Sequence, residues 1–132
     1  MVSIEEKIVG ILNNYPEVTF ALLFGSTATG RAKKESDIDI AIAAKDLLGV
    51  QKMVDIQLAL SRMLQKEVDL LDIHSLNGII LQEIFKNGRI IIKKDTSLYA
   101  KLLRKLWYQH ADILPNIRHI IRTQAKRFAN EQ

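Results

Sequence analysis

A glycine turn between two apolar runs constrains the fold of this chain more than any other feature. Residues 18–24 are mostly apolar and end at Gly25-Ser26, which predicts a buried strand that closes in a tight turn. After ten further residues, Asp37-Ile38-Asp39 opens a second apolar run that continues to Ala44. Residues two apart in a strand share a face, with Cα atoms roughly 6.5 Å apart. We therefore expect Asp37 and Asp39 to lie side by side on one face.

The two carboxylates need a partner, because ionised groups this close repel each other unless a cation or a proton lies between them. Mg²⁺ is held by one or two carboxylates together with substrate phosphates. Glycine at position 25 lets the backbone approach a phosphate, whose oxygens can bind exposed N–H groups and the Ser26 hydroxyl. Taken alone, Gly25-Ser26 is typical of an ordinary turn. Taken alone, Asp37 and Asp39 are equally consistent with a solvated strand end. Together they indicate a Mg²⁺ site for a nucleoside triphosphate.

The residues that follow the two aspartates bear on the shape of this site. Aspartate is disfavoured in strands, and the large apolar residues Ile38, Ile40 and Ile42 alternate with the aspartates. Ala41 and Ala43 follow on the carboxylate face, which predicts an open cleft lined by small residues.

The same turn also resembles a P-loop, because residues 25–30 have its glycine spacing and follow a predicted strand. Arg31 stands where a P-loop needs lysine, and Ala32 stands where it needs serine or threonine. A new strand also begins at Asp37, where a P-loop continues into a long helix. These three differences exclude a P-loop.

A third carboxylate is predicted from a later strand, which contains Asp69 and Asp72. The two are three residues apart and face opposite sides, so at most one can join the cleft. We assign Asp69 to the cleft, as a general base or a further metal ligand, and Asp72 to the strand end. The three histidines show no zinc-ligand spacing.

The remaining pattern predicts alternating helices and strands, and therefore an α/β (α+β) sandwich. Ser3 and Glu6 form a capping box, Ser75 or Asn77 begins a later helix, and Pro115 kinks or splits the last helical stretch. The expected helices are 4–14, 46–64, one ending at Asn87-Gly88, and a stretch that begins near Asp95; the expected strands are 18–24, 37–43, 67–73 and 89–92.

Composition narrows the class of protein further. The 132 residues include no cysteine, which excludes disulfides, thiolate zinc sites and a cysteine nucleophile. No apolar run is long enough to span a membrane, and the acidic N-terminus is unlike a secretory signal, so we expect a soluble cytoplasmic protein.

The positive charge is concentrated in the C-terminal segment. From residue 98 onward the sequence contains seven cations and two anions, a net charge of +5, whereas residues 1–97 contain 12 cations and 13 anions. The favoured interpretation is a helical face beside an acidic partner; RNA contact is the alternative, although aromatic residues are sparse there.

Taken together, Gly-Ser, a spacer, Asp-x-Asp and a later Asp resemble the signature of the nucleotidyltransferase superfamily related to DNA polymerase β. Residues 23–26, 36–40 and 68–72 resemble those of its minimal nucleotidyltransferases (MNT), and the resemblance covers residues 1–95. It implies a small mixed sheet flanked by helices, with residues 1–95 as the nucleotidyltransferase core and 96–132 as added C-terminal helices of the same domain.

The resemblance also implies a role for each site residue. Gly25 and Ser26 would bind the phosphates, Asp37 and Asp39 would bind Mg²⁺, and Asp69 would be the third carboxylate of the site. Thr29 stands where many relatives carry arginine, and Arg31 or Lys33 would supply that charge.

The resemblance also implies an activity, because MNT proteins are commonly antitoxins encoded beside a HEPN-domain ribonuclease toxin. The expected reaction transfers AMP from ATP to a tyrosine hydroxyl of that toxin, with Mg²⁺ as cofactor and a hetero-oligomer as the assembly. No membrane partner and no direct nucleic-acid binding are expected. Two alternatives are an antitoxin that acts by binding alone and a small-molecule (antibiotic) nucleotidyltransferase. The second is disfavoured because only about 35 residues follow the core, too few for an acceptor-binding domain.

Overall fold

A computed structural model describes residues 2–25, 38–109, 122–124 and 126–128. A short 3₁₀ turn, Ile73–Ser75, follows the third strand, and residues 122–124 and 126–128 are helical. Pro115 lies outside the described residues. The helices are α1 (Ile4–Leu12), α2 (Val50–Leu64), α3 (Gly78–Asn87) and α4 (Thr96–Gln109), and the strands are β1 (Phe20–Phe24), β2 (Ile38–Ala43), β3 (Val68–Asp72) and β4 (Arg89–Lys93).

The four strands form one mixed sheet in the order β3-β2-β1-β4. Strand β1 is antiparallel to both β2 and β4, whereas β2 and β3 are parallel. The C-terminal end of β1 and the N-terminal ends of β2, β3 and β4 therefore lie at the same end of the sheet. We call this the Gly25 end, because Gly25 follows β1 there. The α/β (α+β) fold class and the mixed sheet flanked by helices are confirmed.

The two faces of the sheet carry separate hydrophobic cores, as the alternation of side chains along a strand requires. Helices α1 and α2 cover one face, where Ile38, Ile40 and Ile42 are buried. Helices α3 and α4 cover the other. The helix residues that fill the first core are Ile8, Leu12, Ile56 and Leu60, and those that fill the second are Leu81, Ile84, Phe85, Leu98, Leu102 and Leu106.

An aromatic cluster anchors the second core. The rings of Phe20, Phe85 and Tyr99 stack with centroid separations of 5.8 to 6.2 Å, and the Lys93 ammonium lies 5.0 Å from the Tyr99 ring centroid. Burial of each fully enclosed phenylalanine contributes on the order of 1.5–3 kcal/mol. Strand β1, α3 and α4 are therefore packed into one core by residues that are far apart in the chain.

Helix ends follow local hydrogen bonding. The Ser3 hydroxyl accepts from the Glu6 N–H at 3.2 Å, which confirms the predicted cap of α1. Asn77 caps α3 by accepting from the Ile80 N–H at 3.0 Å, and this decides between Asn77 and Ser75. Asp95 accepts from the Leu98 N–H at 3.1 Å.

Helix α2 begins at Val50 and not at residue 46, where the sequence pattern predicts its start. Gly49 has a φ of +85°, which right-handed helical geometry does not allow. The Leu48 N–H also donates to the Asp72 carboxylate at 3.0 Å, which holds residue 48 in a loop beside β3. The helix can therefore form only beyond this glycine.

Candidate active site

The Gly25 end of the sheet places a backbone turn directly against a carboxylate. Phe24, the last residue of β1, pairs with Asp39 on β2, and Gly25 follows with a φ of +73°. A Cβ added at Gly25 would overlap Oδ2 of Asp39 and lie 3.2 Å from its Cγ. Glycine is therefore favoured here, because a left-handed backbone is strained for other residues and an added Cβ would force the Asp39 carboxylate to move.

A second carboxylate lies beside Asp39. In the parallel register of β2 and β3, Asp39 pairs with Asp69, and neighbouring strands are about 4.8 Å apart. Both side chains leave the sheet on the same face, Asp39 half-buried and Asp69 exposed. Two carboxylates in this arrangement repel each other when both are ionised, so a cation is a favourable occupant of the space between them.

Asp72 has a different position and different partners, because the three-residue spacing places it on the other face from Asp69. It is only 6% exposed, and its carboxylate accepts from the backbone N–H groups of Leu48 and His74, each at 3.0 Å. A buried carboxylate is stable only with such donors. Asp72 therefore links β3 to the loop before α2 and to the turn after β3.

The small residues beyond Asp39 do not line an open cleft, contrary to the expectation from the sequence. Ala41 and Ala43 are fully buried in the core beneath α3 and α4. Small side chains at these positions let the helices approach the sheet, and among the described aspartates of this face Asp69 is exposed.

The structure thus brings together three of the predicted site residues, Gly25, Asp39 and Asp69. Ser26, Arg31 and Asp37, like Thr29 and Lys33, lie outside the described residues. Within the described ranges, no three histidine or acidic side chains converge on a common point that could hold a metal ion.

Sequence patterns did not indicate that the C-terminal segment reaches the Gly25 end. Gln124 is fully buried, and its side-chain amide donates to the carbonyls of Phe85 and, at 2.8 Å, Gly88. Arg127 donates to the same Gly88 carbonyl. Gly88 immediately precedes β4, which begins beside β1. These contacts join residues 36 to 39 positions apart, so no local periodicity could have predicted them.

None of the helices in the described parts of the chain is long and apolar enough to cross a membrane.

The ion pair between Arg89 and Glu5, at 2.9 Å, joins β4 to α1 on the other face of the sheet. It stabilises the scaffold next to the site and does not face the two carboxylates.

Comparison with known proteins adds independent evidence. The family model described as polymerase beta, nucleotidyltransferase matches residues 6–97. The protein adenylyltransferase MntA of Shewanella oneidensis is 32% identical over 109 residues, which cover 80% of this chain and 78% of MntA. A crystal structure of a toxin-antitoxin with AMP-PNP superposes with a TM-score of 0.70 at 26% identity, covering 89% of this chain and 98% of the other.

A second solved structure, of the tri-AMPylated Shewanella oneidensis HEPN toxin in complex with MNT antitoxin, gives a TM-score of 0.64 at 26% identity. The superposition covers 89% of this chain and 96% of the matched chain. Both the sequence match and the fold therefore extend over most of the molecule. The chain belongs to the polymerase beta nucleotidyltransferase family.

Proposed function

We propose that this protein is an antitoxin adenylyltransferase, which transfers AMP from ATP to a tyrosine hydroxyl of a HEPN ribonuclease toxin and so neutralises it. The observation that carries the proposal is the contact of the Gly25 backbone with the Asp39 carboxylate, with Asp69 in register beside it. A protein that only binds its partner has no need for two repelling carboxylates at a glycine turn. The relationship to MntA, over most of both chains, supports the same reaction.

In this proposal the site residues have separate roles. Gly25 and Ser26 hold the triphosphate, with Arg31 supplying positive charge, and Asp37, Asp39 and Asp69 hold Mg²⁺. The donor set fits this ion, since carboxylate oxygens are the hard ligands that Mg²⁺ prefers. Bound there, Mg²⁺ stabilises the negative charge that develops on the attacking and leaving oxygens.

The chain's own groups position the reactants and accept a proton. The tyrosine oxygen attacks the α-phosphorus of ATP in line, so that a new O–P bond forms while the bond to pyrophosphate breaks. Asp69, the more exposed carboxylate, takes the proton from the attacking hydroxyl as general base. The glycine turn holds the triphosphate so that pyrophosphate leaves on the side away from the acceptor.

The proposed organisation is a nucleotidyltransferase core of residues 1–95 with 96–132 as a helical extension of the same domain. Three leucines of α4, at positions 98, 102 and 106, are buried in the core with β1 and α3, which supports a single domain. Since both ATP and the toxin are intracellular reactants, we place the reaction in the cytoplasm.

The test is mass spectrometry of a candidate HEPN-domain partner, after incubation with this protein, ATP and Mg²⁺. We expect one or more added AMP masses on a tyrosine, and their loss with Asp39→Asn and with Asp69→Asn. Asp46→Asn is the matched control, because Asp46 is also an exposed carboxylate and lies in the loop beyond β2.

Other outcomes would contradict the proposal. A stable complex and a silenced ribonuclease with no added mass would show an antitoxin that acts by binding alone. Neither complex nor added mass, together with AMP transfer to an antibiotic hydroxyl, would show a small-molecule nucleotidyltransferase.

A further inference from the structure

A cationic depression lies at the end of the sheet opposite Gly25. Its volume is about 190 Å³, and its lining residues are Lys45, Asp95, Ser97, Leu98, Lys101 and Arg104. Lys45 comes from the loop that follows β2, and the others come from residues 97–104 of α4 and from Asp95 just before the helix. Three cations therefore face one carboxylate, and the Asp95 carboxylate already accepts the Leu98 N–H as the cap of α4.

The three cations are available to an external partner. Lys45, Lys101 and Arg104 are exposed, and in the part of the chain that the structure describes none of them makes an ion pair or a side-chain hydrogen bond. Lys101 and Arg104 are three residues apart on α4, which places them on one outward face. Leu98 and Leu102 are buried beneath it.

The loop that carries Lys45 is held on both sides. The His74 ring interacts through Nε2 with the Ala44 carbonyl at 2.7 Å, and the Leu48 N–H donates to Asp72 at 3.0 Å. These bonds fix the backbone on either side of Lys45, so that the residue is carried beside α4 by the fold of the loop.

We propose that this depression, defined by Lys45, Lys101 and Arg104, docks an acidic surface of the toxin; the inference rests on the proposed function. Asp39 and Ala43 are four residues apart on β2, about 13 Å at 3.3 Å per residue, and Lys45 lies beyond. An acceptor that occupies the depression while its hydroxyl reaches the carboxylates must span more than this distance. A protein surface readily spans such a distance.

The observations favour an acidic protein over a nucleic acid. Binding of a single strand normally adds aromatic side chains on which bases stack. Tyr99, on the first turns of α4, is half-buried and stacks on Phe20 and Phe85 in the core. Its ring is therefore committed to the fold and offers no stacking platform beside the cations.

The test compares two double charge reversals that change the net charge equally. Lys101→Glu/Arg104→Glu alters the depression, and Lys7→Glu/Lys86→Glu alters two exposed lysines on α1 and α3. Affinity for the candidate HEPN toxin is measured by biolayer interferometry at about 0.05 M and about 0.5 M salt, where screening lengths differ severalfold. Lys45→Glu, on a different element, is a second probe of the same surface, and thermal melting checks that every variant is folded.

We expect the first double variant to bind the toxin roughly tenfold more weakly at low salt, mainly through slower association. The difference should shrink at high salt, and the KM for toxin should rise more than kcat falls. The control double variant should stay within about twofold of the unmodified protein. ATP affinity should be the same in all of them, because the depression is remote from the Gly25 end.

Unchanged toxin affinity in the first double variant and in Lys45→Glu would overturn the docking proposal while AMP transfer, and with it the proposed function, persisted. Loss of affinity for a single-stranded RNA, with toxin affinity unchanged, would overturn it in favour of a nucleic-acid surface. Absence of both toxin binding and AMP transfer in the unmodified protein would overturn the docking proposal together with the proposed function.

Discussion

Replacement of Gly25 by alanine tests whether the turn after β1 positions the Asp39 carboxylate. The backbone of Gly25 has a φ of +73°, and an L-residue in this region costs about 1–2 kcal/mol. The added Cβ would also overlap Oδ2 of Asp39, and forcing that side chain off its rotamer costs about 0.5–1.5 kcal/mol. We therefore expect Gly25→Ala to lower the free energy of unfolding by about 1.5–3.5 kcal/mol.

The same change should reduce the rate of AMP transfer much more than it reduces stability. A displacement of a catalytic group by about 1 Å can cost about 10²-fold in rate, and Asp39 must move when the Cβ is added. Urea denaturation gives the free energy of unfolding, and transfer of labelled AMP to the toxin gives the rate.

Gly49→Ala is a control for backbone strain without a contact to the site. Gly49 has a φ of +85° and a ψ of 159°, a region that is essentially restricted to glycine, yet nothing lies within 4 Å of an added Cβ. This variant should lose about 1–3 kcal/mol of stability and keep its transfer rate, so that a loss of transfer in Gly25→Ala alone isolates the contact with Asp39. Transfer rates within about twofold of each other in the two variants would refute the reasoning.

Further predictions concern four single residues. Asp69→Asn should abolish most AMP transfer with little change in urea stability, whereas Asp72→Ala should lose about 1–3 kcal/mol, because two backbone N–H groups lose their acceptor. Burial raises the pKa of the Tyr99 phenol above 10.0; the folded state therefore holds this proton more tightly than the unfolded chain, and stability falls as pH rises from about 10 through the raised pKa. Phenolate absorbance should show one late-titrating tyrosine that Tyr99→Phe removes. Gly10→Ala should stabilise the protein by about 0.5–1 kcal/mol in thermal melts, since α1 leaves open space for the added Cβ.

The local elements of the fold could be predicted because their causes are local. The cap at Ser3 depends on a residue three positions away, and the alternation of Ile38, Ile40 and Ile42 assigns a buried face to β2 without any knowledge of its neighbours. The start of α2 could not be predicted, since it depends on the φ of Gly49 and on a hydrogen bond from Leu48 to the distant Asp72.

The candidate site divides in the same way. The three-residue spacing allowed only one of Asp69 and Asp72 to join the cleft, and the family resemblance gave Asp69 the third-carboxylate place. Only the register of β2 and β3 shows that Asp69 is the one beside Asp39. Two further features could be seen only in the tertiary structure. One is the burial of Ala41 and Ala43 under α3 and α4, and the other is the hydrogen bond from Gln124 to the Gly88 carbonyl. Both depend on which helix packs on which face, and the apolar pattern of one segment does not specify its partner.

By itself, then, the sequence determined which residues are candidates for the chemistry, because glycine turns, paired aspartates and helix caps act over a few neighbouring positions. Tertiary structure decided which of them meet. Asp39 lies beside Asp69 only because β2 and β3 pair in parallel with this register, and Lys45 lies beside α4 only because both segments reach the same end of the sheet. Such long-range contacts depend on the burial of residues from distant segments in a common core, which is a property of the whole chain and not of any single segment.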